Sequence, residues 1–440
     1  MKVNKSKSIA NWGLYPSVKT TEYEPQNVED FKEIIQTTNK IVARGNGRCY
    51  GDASLQNDII STRKWNKFIE FDREIGFIEV EAGVLLSDIL EVSVPAGFFI
   101  SVTPGTKFIT VGGAIASDVH GKNHHVHGCF SEHLIYFDLM IESGEVKRCS
   151  RNENQDLFWS TIGGMGLTGV ILSARFLMTK IETAYIKNEA IQAKNLDEIF
   201  KLFEESESWT YTVAWLDCLQ KGENLGKSIM LRGEHATLSE VSEKIKKKPL
   251  EIKKKPKLNI PFFLPNFVLN PWSIKIFNWL YFNKQIKKHV KNFVDYDQFF
   301  YPLDMVHNWN RIYGKNGFIQ YQFVIPKENG LEGMREILKA IAESGNGSFL
   351  VVLKLFGESN PKAYNSFPQP GYTLALDFKV NKDLKNLIQH LDEIVERNGG
   401  RIYRTKDAMS KPSLTNYLKN VDSNKFESIQ NERINRFKKQ

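Results

Sequence analysis

The order of apolar and polar positions changes character once along the chain. Up to about residue 180 it predicts short strands, glycine turns and few helices. "KIVARG" (40–45) reads as a strand entering a glycine-rich turn. "FIEFDREIGFIEVEAG" (68–83) alternates on both sides of Glu74 to Gly76, the period-2 signature of paired strands. "LSDILEVSV" (86–94) predicts a helix ended by Pro95 and Gly97, and "DLFWSTIG" (156–163) another. "GMGLTG" is a loop opening into the strand "VILSARFLMT" (170–179). Beyond residue 180 helix-period segments precede strands: "LDEIFKLFEES" then "YTVAWLDCL", "GLEGMREILKAIAES" then "SFLVVLKLFG", "KDLKNLIQHLDEIVERNGG" then "RIYRTKD". Helices in series with strands imply a sheet covered on one side. The domain boundary is therefore expected near 180 to 190.

At 440 residues, 41% of them hydrophobic, the chain is long enough for two cores. No window of about 18 apolar residues predicts a spanning helix, and "MKVNKSKSIANWGLYP" lacks the apolar core of a signal peptide. Cys49, Cys129, Cys149 and Cys218 have no CxxC spacing, which argues against a disulfide framework or thiolate zinc site and fits a reducing, cytoplasmic setting.

The net charge of +8 is concentrated: "EKIKKKPLEIKKKPK" (243–257) carries eight lysines, and "KQIKKHVK" (284–291) follows. Lysine runs broken by proline lack the aromatic and arginine platform of a nucleic-acid module, so no nucleic-acid partner is expected. Between them lies "NIPFFLPNFVLNPWSIKIFNWLYFNK" (259–284), whose three prolines argue against one long regular helix. Aromatic residues bracketed by lysine suit an anionic lipid interface. A plug buried between domains and a solvated loop are the competing readings.

Glycine clusters at "RGNGRCYGD" (44–52), "PGT" with "TVGGAIA" (104–116) and "GGMGLTG" (163–169) let backbone N–H groups converge on phosphate oxygens, which suggests a large phosphorylated cofactor. Neither a G-x-G-x-x-G after a first strand nor a GxxxxGK[ST] loop occurs. The four histidines of "VHGKNHHVHG" raise the question of a metal. His120 and His124 have i, i+4 spacing, but Gly113, Gly121 and Gly128 predict a loop, and no acidic residue stands between them, so no metal is expected.

The succession "ARGNGRCYGDASL", "PGTKFITVGGAIASDVHGKNHH", "LFWSTIGGMGLTG", "YPLDMVHNWNRIYG", "FIQYQFVIP", "LKLFG" and "RTKD" resembles, in order from about residue 10 to about 430, the FAD-binding p-cresol methylhydroxylase and vanillyl-alcohol oxidase family, in its branch of polyprenylphosphoryl-ribose oxidases. The resemblance implies an α+β, two-domain fold. Residues 1–185 would bind FAD, 186–400 would form a substrate domain of antiparallel sheet covered by helices, and 401–440 would return to the FAD domain. It places the flavin against Arg44, Gly45, Asn46, Gly47 and Arg48, against Gly105, Thr106, Gly112, Gly113 and Ala116, and near Gly121 and Asn123. Arg48 stands where many relatives carry a covalently flavinylated histidine, which implies non-covalent FAD. Lys406 would reach both flavin and substrate, with His120 and Tyr50 as further catalytic groups. Lys122, Gln320, Gln322 and Lys354 would hold the substrate, and Trp215 and Tyr301 would wall it. Ala375 replaces a family cysteine, which puts the pocket's shape there in question.

The implied activity is oxidation of the C2 hydroxyl of a polyprenylphosphoryl pentose, ribose to a 2-keto sugar. A separate NAD(P)H-dependent keto-sugar reductase would complete an epimerisation to arabinose, at the cytoplasmic side of the inner membrane in peripheral contact with it. The alternatives are oxidation of a soluble sugar, alditol or aldonolactone, and an inert flavin fold serving as a lysine-rich binding module.

Overall fold

The computed structural model describes residues 1–253, 258–265, 267–421 and 423–436; Lys254, Lys255 and Lys257 of the first lysine run lie outside them. The alternation at 68–83 forms the expected hairpin. Phe68–Asp72 pairs antiparallel with Phe77–Glu81, and Gly76 at φ +83° takes the left-handed turn position. The hairpin continues into a six-stranded antiparallel sheet through Val170–Lys180, Leu134–Met140 and Val146–Ser150, with Phe98–Ile100 also paired to Val170–Lys180. Beside it stands a four-stranded sheet in the order Lys2–Ala10, Ser17–Glu24, Asp58–Ser61, Val42–Arg44, the last three parallel.

From Tyr185 onward the chain builds one eight-stranded sheet, antiparallel throughout. Its order is His289–Asp295, Tyr185–Ala193, Ser228–His235, Tyr211–Leu216, Val351–Phe356, Gly371–Lys379, Phe318–Pro326, Arg401–Ile402. Side chains alternate across each strand. Ile319, Tyr321, Phe323, Leu353, Leu374 and Leu376 therefore share one face, where they bury against Leu196–Glu204, Gly330–Ser344 and Leu384–Arg397, the three periodic helices read from the sequence. The opposite face turns toward the first two sheets.

The chain's end goes back to its beginning. Phe426 bridges to Ile41, and Arg433 pairs with Asp52 at 3.0 Å and Asp407 at 2.6 Å.

Two local expectations are corrected. The 104–128 segment is not all loop: Thr110 caps a helix Val111–Ala116 by accepting from the Gly113 N–H, and His124–His127 forms one further turn. Glycines tolerate this because the cap and tertiary contacts supply what propensity lacks. The aromatic segment, moreover, is not a plug between domains. Pro271 opens a 13-residue helix, Pro271–Asn283, where its missing N–H is harmless and Asn270 caps. Only Ile274 and Asn278 of this helix are buried, while Trp272 is 76% and Trp279 63% exposed. No helix among the described residues is long and apolar enough to cross a membrane.

Candidate functional site

The cavity between the eight-stranded sheet and the glycine loops has a volume of about 370 Å³. Its roof is the face left free by strand alternation: Gln320 and Gln322 from Phe318–Pro326, Ala375 from Gly371–Lys379, Val352 and Lys354 from Val351–Phe356, Val213 and Trp215 from Tyr211–Leu216. Its floor is the three glycine clusters, represented by Gly45 to Arg48, Gly105, Thr106, Gly112, Gly113 and Ala116, and Met165, Gly166 and Gly169.

The floor fits a diphosphate. Gly47 lies at φ +59°, and a Cβ on Gly45 would meet Thr110 Oγ1 at 2.2 Å, the oxygen that caps Val111–Ala116. Glycine at 45 thus keeps two loops in contact. Among the described residues, the N–H groups of Asn46, Gly47, Arg48, Gly105 and Thr106 donate to no protein acceptor, leaving a set of backbone donors along one wall. The Arg48 guanidinium lies 3.8 Å over the Trp12 ring and adds fixed positive charge beside them. These are the groups a flavin dinucleotide's pyrophosphate requires.

The titratable groups line the same cavity, Lys354 from the roof and His120, Lys122 and Lys406 from the loops facing it. His120 is buried against Phe356, Phe367 and Tyr403, and burial, reinforced by Lys354, holds its pKa well below the usual range. The ring is neutral. The Gln322 amide, 3.1 Å from Nε2, donates to it, so the proton resides on Nδ1, which has no protein partner among the described residues. Lys122 donates to the Phe299 carbonyl, and burial with the nearby Lys354 lowers it to about 7. Lys354 is likewise lowered to about 7, by burial and then by Lys406. Neither lysine forms an ion pair with a carboxylate among the described residues. Lys406 lies 4.0 Å over the Tyr50 ring; burial brings it down to about 8, while Asp377 and Cys49 oppose the fall. Trp215 donates its indole N–H to the Phe349 carbonyl at 3.0 Å and rests 4.6 Å from the Tyr281 ring.

Of the residues named from sequence, Tyr50, His120, Gly121, Lys122, Trp215, Gln320, Gln322, Lys354 and Lys406 line this cavity together with the glycine floor. Arg44, Asn123 and Tyr301 do not. Arg44 donates to the Ala10 carbonyl at 2.9 Å and to Asn11, Asn123 to the Ser101 carbonyl at 2.8 Å, and the Tyr301 hydroxyl meets Thr103 Oγ1 at 2.7 Å. Their polar groups are consumed in holding loops, a long-range outcome that no local pattern reveals. Trp12, Tyr281 and Trp309 line the cavity without having been singled out; aromatic residues outside a glycine or polar motif give no signal separating a wall from a core. His124 packs on Phe356 with burial lowering its pKa to about 3, and His125 bonds the Trp209 carbonyl. His120 and His124 thus lie on different elements, and the described residues contain no group of three His, Cys, Asp or Glu side chains placed to hold a metal.

Residues 22–150 match the family described as FAD binding domain. The chain is 38% identical over 376 residues to the decaprenylphosphoryl-beta-D-ribose oxidase of Mycolicibacterium smegmatis, covering 84% of this chain and 80% of that protein. It is 28% identical over 210 residues to the L-gulonolactone oxidase of Mus musculus, 46% and 48% of the two chains. Cytokinin dehydrogenase 2 of Arabidopsis thaliana matches at 27% over 163 residues, 35% and 32%.

Proposed function

The chain belongs to the decaprenylphosphoryl-beta-D-ribose oxidase family, is an FAD-dependent oxidoreductase, and from that premise we propose that it oxidises the C2 hydroxyl of a pentose carried on polyprenyl phosphate. The observation that carries the substrate class is the pair Lys122 and Lys354. Two partly buried ammonium groups with no carboxylate partner among the described residues are unfavourable alone and call for an anion brought by the substrate. A phosphodiester supplies it; a free sugar, alditol or lactone does not.

Bound FAD supplies the two-electron acceptor for CH–OH oxidation. Gln320, Gln322 and Tyr50 offer amide and phenol groups to sugar hydroxyls. His120, neutral, holds a proton at Nδ1 with which to orient a sugar oxygen. Lys406, on the cavity lining, would supply positive charge to offset the negative charge that reduction adds to a bound flavin, the electrostatic part a protein contributes. In this reading residues 1–185 hold the cofactor, 186–400 the substrate, and 401–440 return to deliver Lys406.

The same reading includes peripheral contact with a membrane. Trp272, Ile276, Trp279 and Leu280 present a bare apolar side of Pro271–Asn283, close in sequence to Lys284, Lys287 and Lys288. On the same helix Tyr281 lines the cavity, so a prenyl chain leaving the site would run along it into lipid. The keto-sugar product requires a separate NAD(P)H-dependent reductase to complete an epimerisation.

Anaerobic mixing with polyprenylphosphoryl pentoses, free pentoses and aldonolactones tests the assignment: flavin bleaching only with the first group supports it, and equal bleaching by free sugars or lactones overturns it.

A further inference from the structure

Asp377 is 1% exposed on Gly371–Lys379, directly across from Gln320 on Phe318–Pro326. It does not reach the cavity. Its carboxylate accepts from the Gln320 amide at 2.6 Å on one oxygen and from the Tyr313 hydroxyl at 3.2 Å on the other. No cation contacts it within ion-pair distance among the described residues, an arrangement that needs a reason, since an isolated buried carboxylate is costly.

Two relations supply the reason. The Gln320 amide, which lines the cavity, has its N–H end committed to Asp377, so its carbonyl end is the one free to accept from a ligand. Among the described residues Asp377 is also the carboxylate that acts on Lys406, raising it against burial; burial in turn pushes Asp377 up to about 7, and Lys406 opposes that rise. The groups facing this pair are Tyr50 and Cys49 from the first glycine turn, Tyr313, Gln320 and Lys354. Lys354 works against Lys406, and Tyr50 and Tyr313 are held neutral by burial. Without Asp377 no carboxylate would offset the repulsion between Lys354 and Lys406 among the described residues.

We propose that Asp377 is the positioning residue of the oxidation site: its carboxylate fixes the Gln320 amide so that the amide carbonyl faces the substrate, and supplies the negative charge that supports the Lys406 ammonium. The inference rests on the reading of Lys406 as flavin-facing, but not on which sugar is oxidised. Asp377→Asn keeps the shape and removes the charge. With Lys406 no longer supported, its discharge comes at lower pH.

The test is a pH titration of the bound-FAD absorbance in the holoenzyme without substrate, beside the pH profile of kcat. In Asp377→Asn the alkaline transition is expected to move down from about 8 by about one pH unit, with kcat reduced about fivefold near pH 8 and recovering toward pH 6, where Lys406 is charged in both proteins. Asp377→Glu should restore part of the shift. If Asp377→Asn does not fold, Tyr313→Phe, which removes one donor and so pushes Asp377 toward its neutral form, should move the transition the same way by less. A transition that stays in place in whichever variant folds, or a loss of kcat equal at every pH, overturns the proposal. Because the spectral titration needs no substrate, a wrong sugar assignment leaves that result readable.

Discussion

Lys406 Nζ stands 4.0 Å from the centre of the Tyr50 ring, and the Tyr50 N–H donates to the Thr405 carbonyl at 3.1 Å. The first glycine turn and the "RTKD" turn are thus one structural unit, although they come from opposite ends of the chain. The cation is held by a ring face and by through-space attraction to Asp377, with no ion pair to consume its charge among the described residues. It remains available to a ligand.

Lys406→Met is therefore expected to lose more than 10-fold in turnover, a barrier increase above about 1.4 kcal/mol, while binding FAD at full stoichiometry. The floor donors that fit the cofactor belong to other residues. Turnover within a factor of about three of the parent removes Lys406 from the catalytic role.

Lys122 and Lys354, both near 7 by burial, give the anion subsite a sign. They are charged below that pH and lose charge above it, so KM for a polyprenylphosphoryl pentose should rise as pH goes from about 6 to about 9. Lys354→Gln should raise KM at low pH and flatten the profile. Measuring KM against pH for both proteins decides; parallel curves contradict the assignment.

The flavin is expected to dissociate on denaturation. Arg48 sits over Trp12 rather than offering a nucleophile, and the Cys49 thiol beside it is pushed up by burial and so kept protonated. Acid precipitation should leave yellow supernatant and colourless pellet; flavin retained on the polypeptide refutes this.

The His235 ring packs with Phe99, Tyr211 and Phe300, and neither ring nitrogen has a partner among the described residues, so burial lowers it to about 4. Its folded pKa lies below the unfolded value: stability is full above about 6.5 and declines as pH falls toward 4, by about 2 kcal/mol at pH 5. His235→Phe should remove this decline and stabilise by about 1 kcal/mol at neutral pH, since it deletes two unsatisfied buried atoms. Denaturant unfolding at the two pH values measures both.

Replacing the eight lysines of 243–257 by glutamine tests the membrane reading. Each lysine near an anionic surface is worth on the order of 1 kcal/mol, screened by salt. Sedimentation with anionic liposomes should weaken and KM for a prenylated substrate rise, with little change for a short-chain, soluble analogue. Equal loss on both substrates would assign the run to the fold, and unchanged sedimentation would make it a solvated loop.

What was legible in the sequence follows strand and helix period. Gln320 and Gln322 interrupt "FIQYQFVIP" at alternate positions, so a shared polar-facing side was readable, and the three helices covering the other side announced themselves by their apolar stripes. The glycine clusters were readable because few other uses explain three of them. Arg44 and Asn123 were not, because whether a donor faces a ligand or a distant carbonyl depends on tertiary partners such as Ala10 and Ser101. Asp377 carried a signal that went unread: a charged residue in the largely apolar strand "YTLALDF" has to be buried beside something polar.

The most direct test of C2 oxidation is stopped-flow flavin bleaching under anaerobic conditions with polyprenylphosphoryl ribose deuterated at C2, compared with the same compound deuterated at C3. The account predicts a primary isotope effect on bleaching from C2 deuteration and none from C3. Bleaching insensitive to deuterium at C2, or sensitive only at C3, would contradict it.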